Sequence, residues 1–173
     1  MRLWTIQDKD VVQKLEQDSV FVCDPQKSFH IQECDFRESY DWLSAQMQKQ
    51  LVKSYENIYY PVWAWHTYNG KTRIDRRTSY IKSLPKDTYV LHLNIDDEKV
   101  LLSDFDKWHY VLNNIAYRED GYENTDIVWS DTLTHEEKQK TWESIFDVRN
   151  SLTIQATFWN LTTEDIVKIE KLR

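Results

Sequence analysis

The residues best suited to chemistry in this chain are aromatic. Trp63 and Trp65 sit two positions apart in the run Tyr60-Pro61-Val62-Trp63-Ala64-Trp65-His66-Thr67, and Trp4, Trp108, Trp129, Trp142 and Trp159 fall on or beside other apolar runs. An indole face offers stacking area, and its N–H needs an acceptor when buried. Thr5, Gln7, His66, Gln155 and Thr157 share strand-like runs with these rings. Together they predict a pocket for a nucleotide or another small planar ligand, in which the rings supply area and the polar groups supply direction. The same residues equally predict a core built of large rings.

Other chemistries are excluded by pattern. The chain has 2 glycines, Gly70 and Gly121, where average usage would give roughly 12. No G-x-G-x-x-G turn and no phosphate-cradling P-loop can be built from two glycines. The 5 histidines are never spaced i, i+4, there is no H-E-x-x-H, and no G-x-S-x-G elbow surrounds a serine. Cys23 and Cys34 form no C-x-x-C, so no metal site is expected and both read as reduced thiols of a cytoplasmic protein. His66 and His109 remain as acid–base candidates.

A phosphate would therefore have to be held by side chains. Arginine is suited to this, because its planar fork matches phosphate oxygens. Arg37 opens a predicted helix beside Phe36 and Tyr40, and Arg73, Arg76 and Arg77 stand in the polar loop after the Trp63–Trp65 run. That loop is the one local footprint for nucleic acid. The net charge of −7 argues against such a partner. Met1 to Gln7 lack the long apolar stretch of a secretion signal, and no apolar run approaches the roughly 18 residues of a membrane span.

The elements that must position these residues are legible as periods of two and of three to four. Leu3–Gln7, Val20–Cys23, Tyr59–Tyr68, Tyr89–Ile95, Val100–Leu102, Leu152–Trp159 and Val167–Leu172 read as strands, with Pro61 allowed only at a strand start. Asp8 caps a helix to about Asp18. A second runs from about Glu38 to Tyr55, with Tyr40, Leu43, Met47 and Leu51 on one face. Ser103 caps a third over Asp104–Asn114, and Thr134-x-x-Glu137 is a capping box opening a fourth to about Val148. Residues 26–37, 69–86 and 117–133 read as loops. The expected fold is α+β: one domain over residues 1–173, with a mixed or antiparallel sheet of about six strands and about four helices.

Four runs carry a resemblance: L-W-T-I-Q (3–7), Y-P-V-W-A-W (60–65), V-L-L-S-D-F-D-K-W-H-Y-V-L-N (100–113) and I-Q-A-T-F-W-N-L (154–161). They resemble a bacterial family, the domain of unknown function family 3841, which brings no established activity. More distantly, the order of elements looks like the ADP-ribosyltransferase fold, especially the DarT-type toxins that modify DNA. In that group the first strand carries an aromatic–His–x–Thr run, and a later strand carries Gln-Ala-Glu, whose Glu orients the ribose of NAD. Here Thr5 stands in the place of the His, and Gln155-Ala156-Thr157 puts Thr157 in the place of the Glu. A threonine hydroxyl can hydrogen-bond a ribose but is no general base near neutral pH. The resemblance therefore implies a domain binding NAD or a related nucleotide in a Trp-lined cleft, through Trp4, Thr5, Gln7, Arg37, Trp63, Trp65, Trp108 and Gln155. Transferase chemistry would be lost or changed, with His66, His109 and Thr157 as the catalytic candidates. Two other functions compete with it: a non-enzymatic ligand- or protein-binding module in bacterial or phage conflict, and an enzyme acting on nucleic acid through Arg73, Arg76 and Arg77.

Overall fold

The computed structural model describes residues 1–51, 60–119 and 128–172. In chain order its elements are β1 (Arg2–Asp8), α1 (Lys9–Asp18), β2 (Val20–Phe21), α2 (Phe29–Gln32), α3 (Arg37–Gln50), β3 (Val62–Thr67), α4 (Ser79–Ser83), β4 (Thr88–Asn94), β5 (Leu101–Asp104), α5 (Phe105–Leu112), α6 (His135–Trp142), β6 (Ile154–Phe158), β7 (Leu161–Thr162) and β8 (Ile166–Lys171). Short 3₁₀ turns cover Asp97–Lys99, Glu143–Phe146 and Thr163–Asp165. The fold is α+β, as the strand and helix periods predict.

Six strands form one sheet in the order β5-β6-β3-β1-β4-β8, and every neighbouring pair is antiparallel. β2 and β7 pair separately. β2 holds two residues rather than the expected four. β3 is central, as the burial of both its faces predicts, and Pro61 lies just before it.

Alternation along each strand divides the side chains between two faces. Leu3, Val62, Ala64, Leu91, Leu93, Ala156 and Phe158 share one face and pack against Val12 and Leu15 of α1. The opposite face carries Leu101 and the Trp63 ring, and α3, α5 and α6 cover it with Tyr40, Trp42, Leu43, Met47, Trp108, Val111 and Trp142. The expected stripe of Tyr40, Leu43, Met47 and Leu51 is buried along α3 and just beyond it. Tyr55 and Tyr59, where that helix was expected to end and the next strand to begin, lie outside the described residues, as do 120–127 of the expected 117–133 loop.

Two local readings are corrected. The cap of α5 is Asp104, whose Oδ1 accepts the Lys107 N–H at 2.9 Å, and not Ser103, which belongs to β5 and is buried. Strand alternation turns Ser103 into the sheet face, where it cannot reach the helix N–H groups. The 69–86 segment also contains α4, a single short helix capped by Thr78 Oγ1 on the Ile81 N–H. The segment leaves β3 through Asn69 and Gly70, both at positive φ (47° and 72°), and the Gly70 N–H donates to the Leu152 carbonyl at 2.8 Å.

Asp104 also accepts from the Ser151 hydroxyl, so it joins α5 to the segment entering β6. Asp104→Ala is expected to lower unfolding stability by about 1–2 kcal/mol in urea titrations. Ser103→Ala, one residue away, is expected to cost nothing.

Candidate functional site

The register places one row of side chains across all six strands. Ser103 faces Gln155, Gln155 faces Trp65, Trp65 faces Trp4, Trp4 faces His92, and His92 faces Lys168. All six point to the face covered by α3, α5 and α6. The Trp4 and Trp65 rings lie 6.0 Å apart, and Tyr68 and Phe105 stand edge-on to Trp65 at 5.0 and 5.2 Å. One row along, Trp63 packs on Trp108 at 5.3 Å and on Tyr40 at 5.9 Å. The sequence candidates Trp4, Trp63, Trp65, Trp108 and Gln155 thus meet on one face.

The remaining sequence candidates are held in other ways. Thr5 pairs with Leu91 on the α1 face, and its hydroxyl donates to the Trp63 carbonyl at 2.8 Å while accepting from Gln7 Nε2 at 2.9 Å. Thr157 faces Trp63 on the tryptophan side of the sheet and donates to the Leu101 carbonyl at 3.2 Å. The two threonines therefore point to opposite faces, and each hydroxyl is committed to a main-chain carbonyl. His66 Nδ1 bonds the neighbouring Thr67 hydroxyl, next to a bulge in the β3–β6 register. His109 is exposed, with Nδ1 on its own helix at the Phe105 carbonyl.

The basic loop is largely neutralised within the chain. Arg77 and Lys71 both bind Asp75, at 3.0 and 2.7 Å, and hold its carboxyl well below the usual carboxylate range. Arg76 reaches Glu170 on β8 at 2.9 Å. Among the described residues, Arg73 makes no ion pair.

Arg37 stands in a different setting. A cavity of about 330 Å³ opens along α3, lined by Pro25, Arg37, Asp41, Ser44, Ala45, Gln48 and Tyr60. The helical lining residues recur at i, i+4, i+7 or i+8 and i+11, one face of α3 over roughly 16 Å at 1.5 Å per residue. The Tyr60 hydroxyl donates to Asp41 Oδ1 at 2.6 Å. Burial and this bond push the phenol's pKa up, and Arg37 beside it pulls the other way. Ser44 is 5% exposed, and its hydroxyl has no hydrogen-bond partner. No side chain caps the first turn of α3, so the positive end of the helix dipole adds to Arg37. The groove thus offers a cation and a helix N-terminus at one end, and a carboxylate, a phenol and an unpaired hydroxyl further along.

Sequence reasoning found Arg37 in this groove but missed Asp41, Ser44 and Tyr60. Asp41 and Tyr60 are 19 residues apart in the chain, and only the packing of α3 beside the entry to β3 brings them together. Cys23, two residues before the groove residue Pro25, packs against the core, and burial pushes its thiol up to about 11. Among the described residues there is no group of three or more histidines, cysteines or acids able to hold a metal ion, and no helix long and apolar enough to cross a membrane.

Comparison with known proteins adds one match. The model of a family described as "Domain of unknown function (DUF3841)" matches residues 2–127. The chain belongs to this family. The matched span holds β1 to β5, α3 and every lining residue of the groove. No curated protein and no solved structure matches the chain.

Glu170 ties the basic loop to β8 through Arg76. Lys168 at 2.7 Å, His92 at 2.9 Å and Arg76 hold its carboxyl from the ordinary 4.5 down to about 2. The folded value lies below the unfolded one, so the stabilisation is present above about pH 4.5 and is lost as pH falls toward 2. Glu170→Gln is expected to flatten the fall in melting temperature across that window and to melt like the parent chain near pH 2. Thermal scans at half-unit steps of pH check this.

Proposed function

We propose that this domain binds a nucleotide-class ligand, NAD or a related nucleotide, with its anionic group on Arg37 in the α3 groove. One observation carries the reading: a cavity that pairs an exposed guanidinium with a carboxylate, a phenol and a buried hydroxyl lacking a partner. The guanidinium suits a phosphate fork. Asp41 and Ser44 suit the hydroxyls of a sugar, because a carboxylate accepts from O–H groups and an unpaired buried hydroxyl gains by finding a partner. The volume lies at the lower end of the range of roughly 300–1,000 Å³ for small-molecule sites. It favours a mononucleotide-sized portion in the groove, with the rest of any dinucleotide lying outside.

Binding without group transfer is the form of the proposal. In the resemblance to ADP-ribosyltransferases, Thr5 and Thr157 stand where the chemistry would sit. Their hydroxyls lie on opposite faces of the sheet and are spent on the Trp63 and Leu101 carbonyls. Neither can serve as a base. The setting proposed is cytoplasmic, where the free Cys23 and Cys34 would stay reduced.

The test is calorimetric titration with NAD, ADP-ribose and AMP. Arg37→Ala is expected to weaken binding by about 1.5–3 kcal/mol, the worth of a charged hydrogen bond, without lowering the melting temperature of the free protein, because Arg37 is exposed. Absence of heat with all three compounds, or unchanged affinity in the variant, would overturn the reading. Labelled NAD added with the protein to a cell lysate is expected to leave no label on macromolecules.

A further inference from the structure

Buried polar groups without partners are rare in native proteins, because each costs the full desolvation of the group. Here four of them, apart from Ser44 in the α3 groove, belong to two neighbouring rows of one sheet face. Trp4 Nε1, Gln155 Oε1, Ser103 Oγ and Trp63 Nε1 are all buried and unpartnered. Trp4 is 5% exposed and Ser103 1%. The first three belong to a single cross-strand row over β1, β3, β6 and β5, with Trp65 between Trp4 and Gln155. Trp63 lies in the adjacent row on β3. The half-buried rings of Trp65, Tyr68 and Phe105 cover this row and reach solvent.

The chemistry of the four groups is specific. The two indole N–H groups donate only, the Gln155 oxygen accepts only, and the Ser103 hydroxyl does either. A guest that satisfies them must present an acceptor beside a donor. It must also be flat and uncharged to lie among the rings, since the first ionisable side chain of the row, His92, stands beyond Trp4 and is held by Glu170. We propose that this sheet face is a second binding site, for a neutral planar heterocycle with a lactam edge, N–H beside C=O, of the pyrimidinedione class. In this arrangement the guest's carbonyl accepts from the Trp4 and Trp63 indoles, its N–H donates to Gln155 Oε1, and its plane stacks at Trp65. Entry requires Tyr68 or Phe105 to swing aside. The site rests on its own residues and not on the α3 groove.

The probe is uracil, titrated into the ¹⁵N-labelled full chain while the indole N–H signals of its 8 tryptophans are followed. Trp4→Phe and Trp63→Phe each delete one signal and so assign the pair. Saturable shifts of those two signals are expected, and Arg37→Ala should not alter them. 1,3-Dimethyluracil keeps the ring but has no N–H for Gln155, and should bind about tenfold more weakly or worse. Ser103→Ala should raise the melting temperature of the free protein, since it removes a buried hydroxyl with no partner. Three results would each overturn the proposal: no shift of either signal in the parent chain, equal affinity for the two uracils, or a lowered melting temperature for Ser103→Ala. The last would mean that an internal water already satisfies the group.

Discussion

Trp4 and Trp65 face each other across the β1–β3 pair, with ring centroids 6.0 Å apart and planes tilted by 31°. Two of the largest side chains occupy neighbouring places at the middle of the sheet, and the helical layer has to accommodate them. Phe105, the first residue of α5, and Tyr68, the residue just after β3, both close edge-on against Trp65. One row along, Trp63, Tyr40 and Trp108 meet edge-on or tilted, which seats α3 and α5. Edge-to-face and tilted contacts satisfy the ring quadrupoles, and each contributes beyond its buried area. Slipping β1 by one residue against β3 would turn Trp4 to the α1 face, away from Trp65, and Leu3 out of the core it shares with Ala64 and Leu91.

The same aromatic scaffold explains where charge is available. With so few glycines the chain has no Gly-rich cradle for an anion, so an anion has to be met chiefly by side chains. Asp75 and Glu170 take up Arg77 and Arg76 and fasten the long loop to itself and to β8. That use of the loop's arginines is structural. Arg37 differs because α3 is held from its other side, by Tyr40, Leu43 and Met47 in the core, which leaves the exposed side of the helix to line the groove. Tyr40 also touches Tyr60, so the packing that fixes α3 fixes the phenol opposite Asp41.

Much of this was legible in the sequence. Strand periods, the α1 cap at Asp8, the Thr134 capping box and the central place of Val62–Thr67 follow from local rules, because each is decided within a few residues. The Ser103 and Asp104 caps are both good local solutions one residue apart. Only the burial of Ser103 against Gln155 decides between them, and that is a tertiary fact. Strand order was not legible either: nothing local says that β1, the first strand, lies between β3 and β4. Of the groove, Arg37 could be named because it begins a helix beside aromatic residues. Ser44 could not, because a small polar residue in a helix carries no signal until its hydroxyl is found to be buried without a partner.

The unpaired groups set a physical condition on the whole face. A core built only from rings would have no use for a glutamine oxygen and a serine hydroxyl side by side in it; alanine or leucine there would avoid the desolvation cost altogether. Elsewhere the sheet does satisfy its buried polar residues. Thr5 and Thr157 each find a carbonyl, and Thr88 donates to the Pro85 carbonyl at 2.8 Å. Four orphaned groups are therefore concentrated on the part of the sheet around Trp65, Tyr68 and Phe105, while Ser44 lies apart in the α3 groove. A guest that brings its own acceptor and donor would repay that loss on binding. The tryptophans then have two duties on one surface: they anchor the helical layer through their ring edges, and they hold two buried N–H groups to which the rest of the fold brings no acceptor.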